Sequence, residues 1–129
     1  MRVLLDTQVW LWMLGAPERL SRKARALVVS QENELLLSAA SAWEIAIKQA
    51  VGKLQLPESP EEYIPPLMIQ TAITPLAVNH RHALRVASLP AHHRDPFDRI
   101  LIAQAQIEEL PILTADRAFR RYDIEVLPA

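Results

Sequence analysis

Short, wholly apolar runs alternate with amphipathic stretches along the chain, and that alternation predicts its elements. Val3-Leu4-Leu5 ends in Asp6-Thr7, the pattern of a buried strand handing over to a helix. Val9, Trp10, Trp12, Met13 and Leu14 then recur at helical spacing until Gly15-Ala16-Pro17. Ser21 is the N-cap candidate for a helix over 22–29, with Ala24, Leu27 and Val28 on one side and Arg22, Lys23 and Arg25 on the other. Leu35-Leu36-Leu37 reads as a second strand, after which Ser38 or Ser41 opens a helix through Trp43, Glu44, Ile45, Ile47 and Lys48 to a cap at Gly52. A proline-marked connection over 54–60 precedes a helix over 61–72, which Pro65-Pro66 is expected to kink or divide. A third strand is expected over 73–78. Asn79 caps the next helix, which runs through His82, Leu84, Val86 and Leu89 and ends at Pro90. Asp95 suits an N-cap, Pro96 the first helical position and Asp98 the third, ahead of the largely apolar Ile100-Leu101-Ile102-Ala103-Gln104-Ala105. Pro111-Ile112-Leu113 is a fourth strand running into Thr114-Ala115-Asp116. A short helical turn over 117–121 and an edge strand, Glu125-Val126-Leu127, complete the series.

Apolar strands alternating with helices predict an α/β fold: a central, mainly parallel β-sheet flanked by helices on both faces, in one domain over 1–129. Ligands of such sheets gather beyond the carboxyl ends of the strands. The absence of cysteine excludes disulfides, thiolate nucleophiles and cysteine-based zinc sites, and agrees with a reducing compartment. Asp6 comes too early for a signal peptide and no apolar run is long enough to span a bilayer, so a cytoplasmic protein without membrane contact is expected. A net charge of −1 excludes a generic polyanion binder; contact with nucleic acid would need a local basic patch or a metal.

Four acids change the picture. Asp6 and Asp116 follow the first and fourth strands, Glu44 lies in the helix after the second, and Asp98 opens the helix at Pro96. Singly, each reads as a cap or a surface charge. Together they fall at one end of one sheet, where converging carboxylates repel and a hard cation neutralises them; oxygen ligands alone suit Mg²⁺ or Mn²⁺. Metal-assisted hydrolysis of a phosphodiester follows as the reaction class.

Leu5-Asp6-Thr7 with Trp10-Leu11-Trp12, Ser41-Ala42-Trp43-Glu44, Asp95-Pro96-Phe97-Asp98-Arg99-Ile100-Leu101-Ile102-Ala103 and Leu113-Thr114-Ala115-Asp116 resemble, in order, the motifs of PIN-domain ribonucleases. The resemblance is greatest to the VapC-type toxins of bacterial toxin–antitoxin pairs and covers essentially the whole chain. It implies a PIN-like fold, Mg²⁺- or Mn²⁺-dependent cleavage of RNA, a homodimer, and inhibition by a cognate antitoxin. It also implies Asp6, Glu44 and Asp98 as a metal-binding triad, Asp116 as a fourth acid, Thr7 as the hydroxyl supporting Asp6, and Thr114 in the same role for Asp116. Gln8 stands where many relatives carry His, Asn or Ser. Asp95 rivals Asp98 as ligand, and Asp98 is preferred because capping already occupies Asp95.

Arg81, Arg85, Arg94, Arg99, Arg117, Arg120 and Arg121 are candidate phosphate contacts, Arg99 foremost because it adjoins Asp98. His92 and His93 lack a third nearby histidine and read as loop surface, with His80 and His82 weaker still. Trp10, Trp12 and Trp43 read as core, although Trp10 and Trp12 cannot share one helix face and one of them is a candidate docking point. Two rivals stand beside the nuclease. A phosphatase with an aspartyl nucleophile at Asp6 would want a second acid two residues on, where Gln8 stands. A non-catalytic PIN-fold module binding RNA or a partner would keep the fold without turnover.

Overall fold

The computed structural model describes residues 1–129. Strand β1 (Arg2–Leu5) lies at the middle of a five-stranded sheet, and Val3, Leu4 and Leu5 are wholly inaccessible to solvent. Its neighbours are β2 (Glu34–Ser38) and β4 (Ile112–Thr114); β3 (Ile73–Leu76) and β5 (Val126–Pro128) form the edges, in the order β3-β2-β1-β4-β5. Every pairing is parallel, with Leu4 opposite both Leu36 and Ile112. Continuous apolar runs without alternation are what a strand covered on both faces requires.

Alternate side chains divide the core. Val3, Leu5, Leu35, Leu37 and Leu113 point to one face. There they meet Val9 and Trp10 of α1 (Thr7–Gly15), Ala24 of α2 (Arg22–Val29), Ile45 of α3 (Ala39–Ala50) and Ile64 of α4 (Pro60–Gln70). Leu4, Leu36 and Ile112 point to the other face. They pack there on Leu101, Ile102, Ala103 and Ala105 of α6 (Pro96–Glu108), with Phe119 and Tyr122. The remaining helix, α5 (His80–Arg85), packs on α6 and carries a capping box in which Asn79 and His82 each accept the other's backbone N–H. No helix is long and apolar enough to cross a membrane.

Two expectations are corrected. Helix α4 runs unbroken through Pro65 and Pro66, so the prolines do not divide it. The carbonyls left without donors belong to Glu61 and Glu62, which are exposed, so water can satisfy them. Trp43 does not join the core: it is 61 % exposed and meets the ring of Phe97 edge-on at 5.0 Å. Trp10 is fully buried, whereas Trp12 is part-exposed with the Arg19 guanidinium 5.9 Å from its ring.

The strand order positions the site. From β1 the chain moves outward through β2 and β3, then returns to add β4 on the other side of β1. The order in which strands are added therefore reverses between β1 and β4, and their carboxyl ends flank the crevice where parallel sheets take ligands. Asp6 and Asp116 lie just beyond those two ends.

Candidate metal-binding site

Asp6 has the N-cap position of α1 but makes no side-chain cap. Its carboxylate is instead held by Thr114, whose Oγ1 donates to Asp6 Oδ2 at 2.7 Å and accepts the Asp116 backbone N–H at 3.0 Å. One buried hydroxyl thus joins the ends of β1 and β4. Thr7, expected to support Asp6, donates to Ser41 Oγ at 2.7 Å and ties α1 to α3. The role expected of Thr7 is therefore corrected, and Thr114 serves Asp6 as well as Asp116. Thr114 sits on the adjacent strand at the right depth, whereas Thr7 is already turned into the first helical turn.

Ser38 caps α3 by accepting the Ala40 N–H at 3.0 Å, which puts Glu44 in its second turn, only 5 % exposed. Lys48, one turn further on, donates to Glu44 Oε2 at 2.5 Å, while the buried Oε1 has no partner. At the mouth of α6, Asp95 Oδ1 accepts the N–H groups of Phe97 at 2.8 Å and Asp98 at 3.3 Å. That cap fixes the first turn and leaves the Asp98 carboxylate free of capping duty.

His93, read from sequence as loop surface, belongs to the site. Its Nε2 lies 3.0 Å from Asp98 Oδ2 and 3.0 Å from Asp116 Oδ2, and its Nδ1 accepts the Asp95 backbone N–H at 3.2 Å. A nitrogen that accepts an N–H carries no proton, so the neutral ring places its hydrogen on Nε2, facing the two acids. These three side chains bring ligand atoms within 4.8 Å of one another. With that tautomer, His93 donates to Asp116 with Asp98 3.0 Å away, and the oxygens are the atoms left to meet a cation.

The loop that carries His93 is held from behind. The Tyr122 hydroxyl accepts the N–H groups of His92 and His93 at 3.1 and 2.8 Å and donates to the Pro90 carbonyl at 2.9 Å. Arg99 donates to the carbonyls of Val86, Leu89, Pro90 and His93 at 2.9–3.3 Å. The guanidinium expected to meet phosphate is committed to the protein's own backbone.

Electrostatics record the crowding. Burial pushes the Asp98 carboxyl from 3.8 up to about 8, with Asp6, Asp95, Glu44 and Asp116 adding repulsion. Asp6 is also raised, chiefly by burial, against the hydrogen bond from Thr114 that favours its charged form. Lys48 is raised by its hydrogen bond to Glu44. All four predicted acids, with Asp95, line one cleft of about 480 Å³. Crowded oxygens, two carboxyls raised by burial and repulsion, and an unpartnered buried oxygen on Glu44 fit a hard divalent cation. Lys48 and Lys53 also line the cleft and were not singled out from sequence, although the spacing of Lys48 from Glu44 signals an i,i+4 ion pair.

A parallel five-stranded sheet with acids beyond the ends of its central strands defines a class, and the PIN domain family model matches residues 3–125. The chain belongs to the PIN domain family. It is similar to ribonuclease VapC16 of Mycobacterium tuberculosis (strain ATCC 25618 / H37Rv), 48 % identical over 60 residues, a match taking in 46 % of this chain and 43 % of that relative's length. Its fold is similar to that in the crystal structure of VapBC2 from Rickettsia felis bound to a DNA fragment from their promoter, with TM-score 0.75 and 12 % identity, covering 99 % of this chain and 98 % of that one. The structure of DNA-bound VapBC from Salmonella typhimurium is similar over the same shares, with TM-score 0.70 and 17 % identity.

Proposed function

We propose that this chain is a divalent-metal-dependent endoribonuclease acting as the toxin of a toxin–antitoxin pair, homodimeric and held inactive by a cognate antitoxin. The observation that carries the reading is the convergence of Asp6, Glu44, Asp98 and Asp116 on one cleft at the reversal point of the sheet. Family membership, the ribonuclease relative and the VapBC fold neighbours support the same reading.

In this reading the four carboxylates hold Mg²⁺ or Mn²⁺. Such an ion supplies Lewis acidity and an acidified water, so no side-chain nucleophile is needed. The chain's own work is placement. Thr114 fixes the orientation of Asp6, and Asp95 sets the first turn of α6 so that Asp98 faces the cleft. The His93 Nε2–H holds Asp116 beside Asp98, which lies 3.0 Å from the same nitrogen.

The test is cleavage of structured and single-stranded RNAs by the purified, partner-free protein, with Mg²⁺ or Mn²⁺ and with EDTA. Cutting is expected with metal, absent in EDTA and retained in Asp95→Asn, since Asn caps a helix about as well as Asp. Cutting that survives EDTA and Asp98→Asn would overturn the mechanism. Metal binding without cleavage of any RNA would favour the non-catalytic module.

A further inference from the structure

The cleft presents a charge problem. Five carboxylates line it against two lysines, so even a divalent ion does not make it attractive to a polyanion. None of the seven arginines singled out in the sequence lines it. Arg99 is bound to loop carbonyls and Arg85 to Gln106.

The two lysines come from one built feature, the carboxyl end of α3. Gly52, at φ +79°, reverses the chain there. The Lys53 N–H bonds to the Lys48 carbonyl at 2.8 Å and the Gly52 N–H to the Gln49 carbonyl at 3.2 Å, the paired bonds of a Schellman motif. Leu54 then packs against the core and lines the cleft, which anchors the turn from its far side. The backbone beneath Lys53 is therefore fixed while its side chain stays exposed. Lys48 reaches back from the same turn to Glu44.

We propose that Lys48 and Lys53 form the phosphate-binding wall of this cleft and hold the backbone of the RNA strand presented to the acids. This rests on the ribonuclease reading above. Lys48 has a second task before substrate arrives: its ammonium neutralises Glu44, and once Glu44 served a divalent ion instead, Lys48 would be free to meet phosphate. Lysine suits that exchange better than arginine, because a mobile point charge changes partner without a fixed bidentate geometry.

The experiment measures binding of a short fluorescein-labelled single-stranded RNA by anisotropy across a salt series, with Ca²⁺ replacing Mg²⁺, alongside cleavage in Mg²⁺. Lys53→Gln and Lys48→Gln are each expected to weaken binding about fivefold at low salt and to reduce the slope of log K against log salt by about 0.7, the loss of one phosphate contact on a single strand. Lys48→Arg should restore the slope. Arg25→Gln, on the exposed face of α2, should leave it unchanged. Calorimetry without RNA should show Mn²⁺ binding more tightly to Lys48→Gln, since a competing cation is gone. A lysine that only stabilised α3 would shift thermal unfolding but not the salt slope. Unchanged slopes in both Gln variants, with wild-type cleavage intact, would overturn the lysine wall and leave the ribonuclease reading standing. Altered slopes in a protein that cuts no RNA would uphold the wall and remove the ribonuclease.

Discussion

Replacing Asp98 by Asn is expected to lower RNA cleavage about a thousandfold while making the metal-free protein more stable. The two effects share one cause. The folded protein holds the Asp98 proton up to about pH 8, whereas the unfolded chain releases it near 3.8. Between those values the folded state binds the extra proton, so raising the pH weakens the metal-free fold. The stabilising share of the protonated carboxyl is complete below about pH 4 and gone above about 8. Asn carries no such charge. Asp98→Asn should therefore gain about 2 kcal/mol or more over the wild type at pH 8 without metal, and the gain should vanish toward pH 4. Urea unfolding in EDTA at several pH values measures it. Mg²⁺ should stabilise the wild type, most strongly at the alkaline end where Asp98 gives up its proton, and should do little for the variant. A variant that loses both activity and metal-free stability would mean that Asp98 is a structural acid.

The second large effect is expected at Arg99. Its guanidinium joins four carbonyls of the segment between α5 and α6, so Arg99→Ala removes several charge-assisted bonds at once and leaves the Leu89 and His93 carbonyls without a donor, while Pro90 keeps the Tyr122 hydroxyl and Val86 the Leu89 N–H. A loss of about 3 kcal/mol is expected, visible as a fall of about 10 °C in the unfolding midpoint. Lysine should recover little, because one ammonium cannot reach acceptors that a planar fork spans. Cleavage should also fall, by about tenfold, since His93 rides on the released loop and holds Asp116 beside Asp98. Hydrogen exchange over 86–93 would locate the loosening. Loss of RNA affinity without loss of stability would return Arg99 to the phosphate-binding role its sequence position suggested.

Most of the fold was legible in the sequence because parallel strands buried on both faces leave uninterrupted apolar runs, and because caps are local. Ser21, Asn79 and Asp95 each accept a backbone N–H at the start of the helix they were expected to open. The four acids were legible for a similar reason: Asp6 and Asp116 follow strands, Asp98 opens a helix, and Glu44 lies in the helix that directly follows a strand. What could not be read is what depends on distant partners. His93 owes its place to Tyr122 and Arg99, which lie on different elements. That Thr114 rather than Thr7 holds Asp6 depends on which strand neighbours β1. Trp43 occupies a helix whose periodicity marks an inward face but not which large residue falls just outside it. Lys53 reaches the cleft only because the chain reverses at Gly52.

The bond from Thr114 to Asp6 spans 108 positions of the chain. A ribosome that has made β1, β2 and all six helices has still not made a complete site. Until β4 slots in beside β1, Asp6 lacks its hydroxyl partner and Asp116 its anchor. Strand pairings so far apart are slow to form. Any cutting activity in this chain would thus begin only after β4 has been synthesised and has docked beside β1. A chain broken off before β4 would be inert, and recovery of activity during refolding would report the docking of that last central strand.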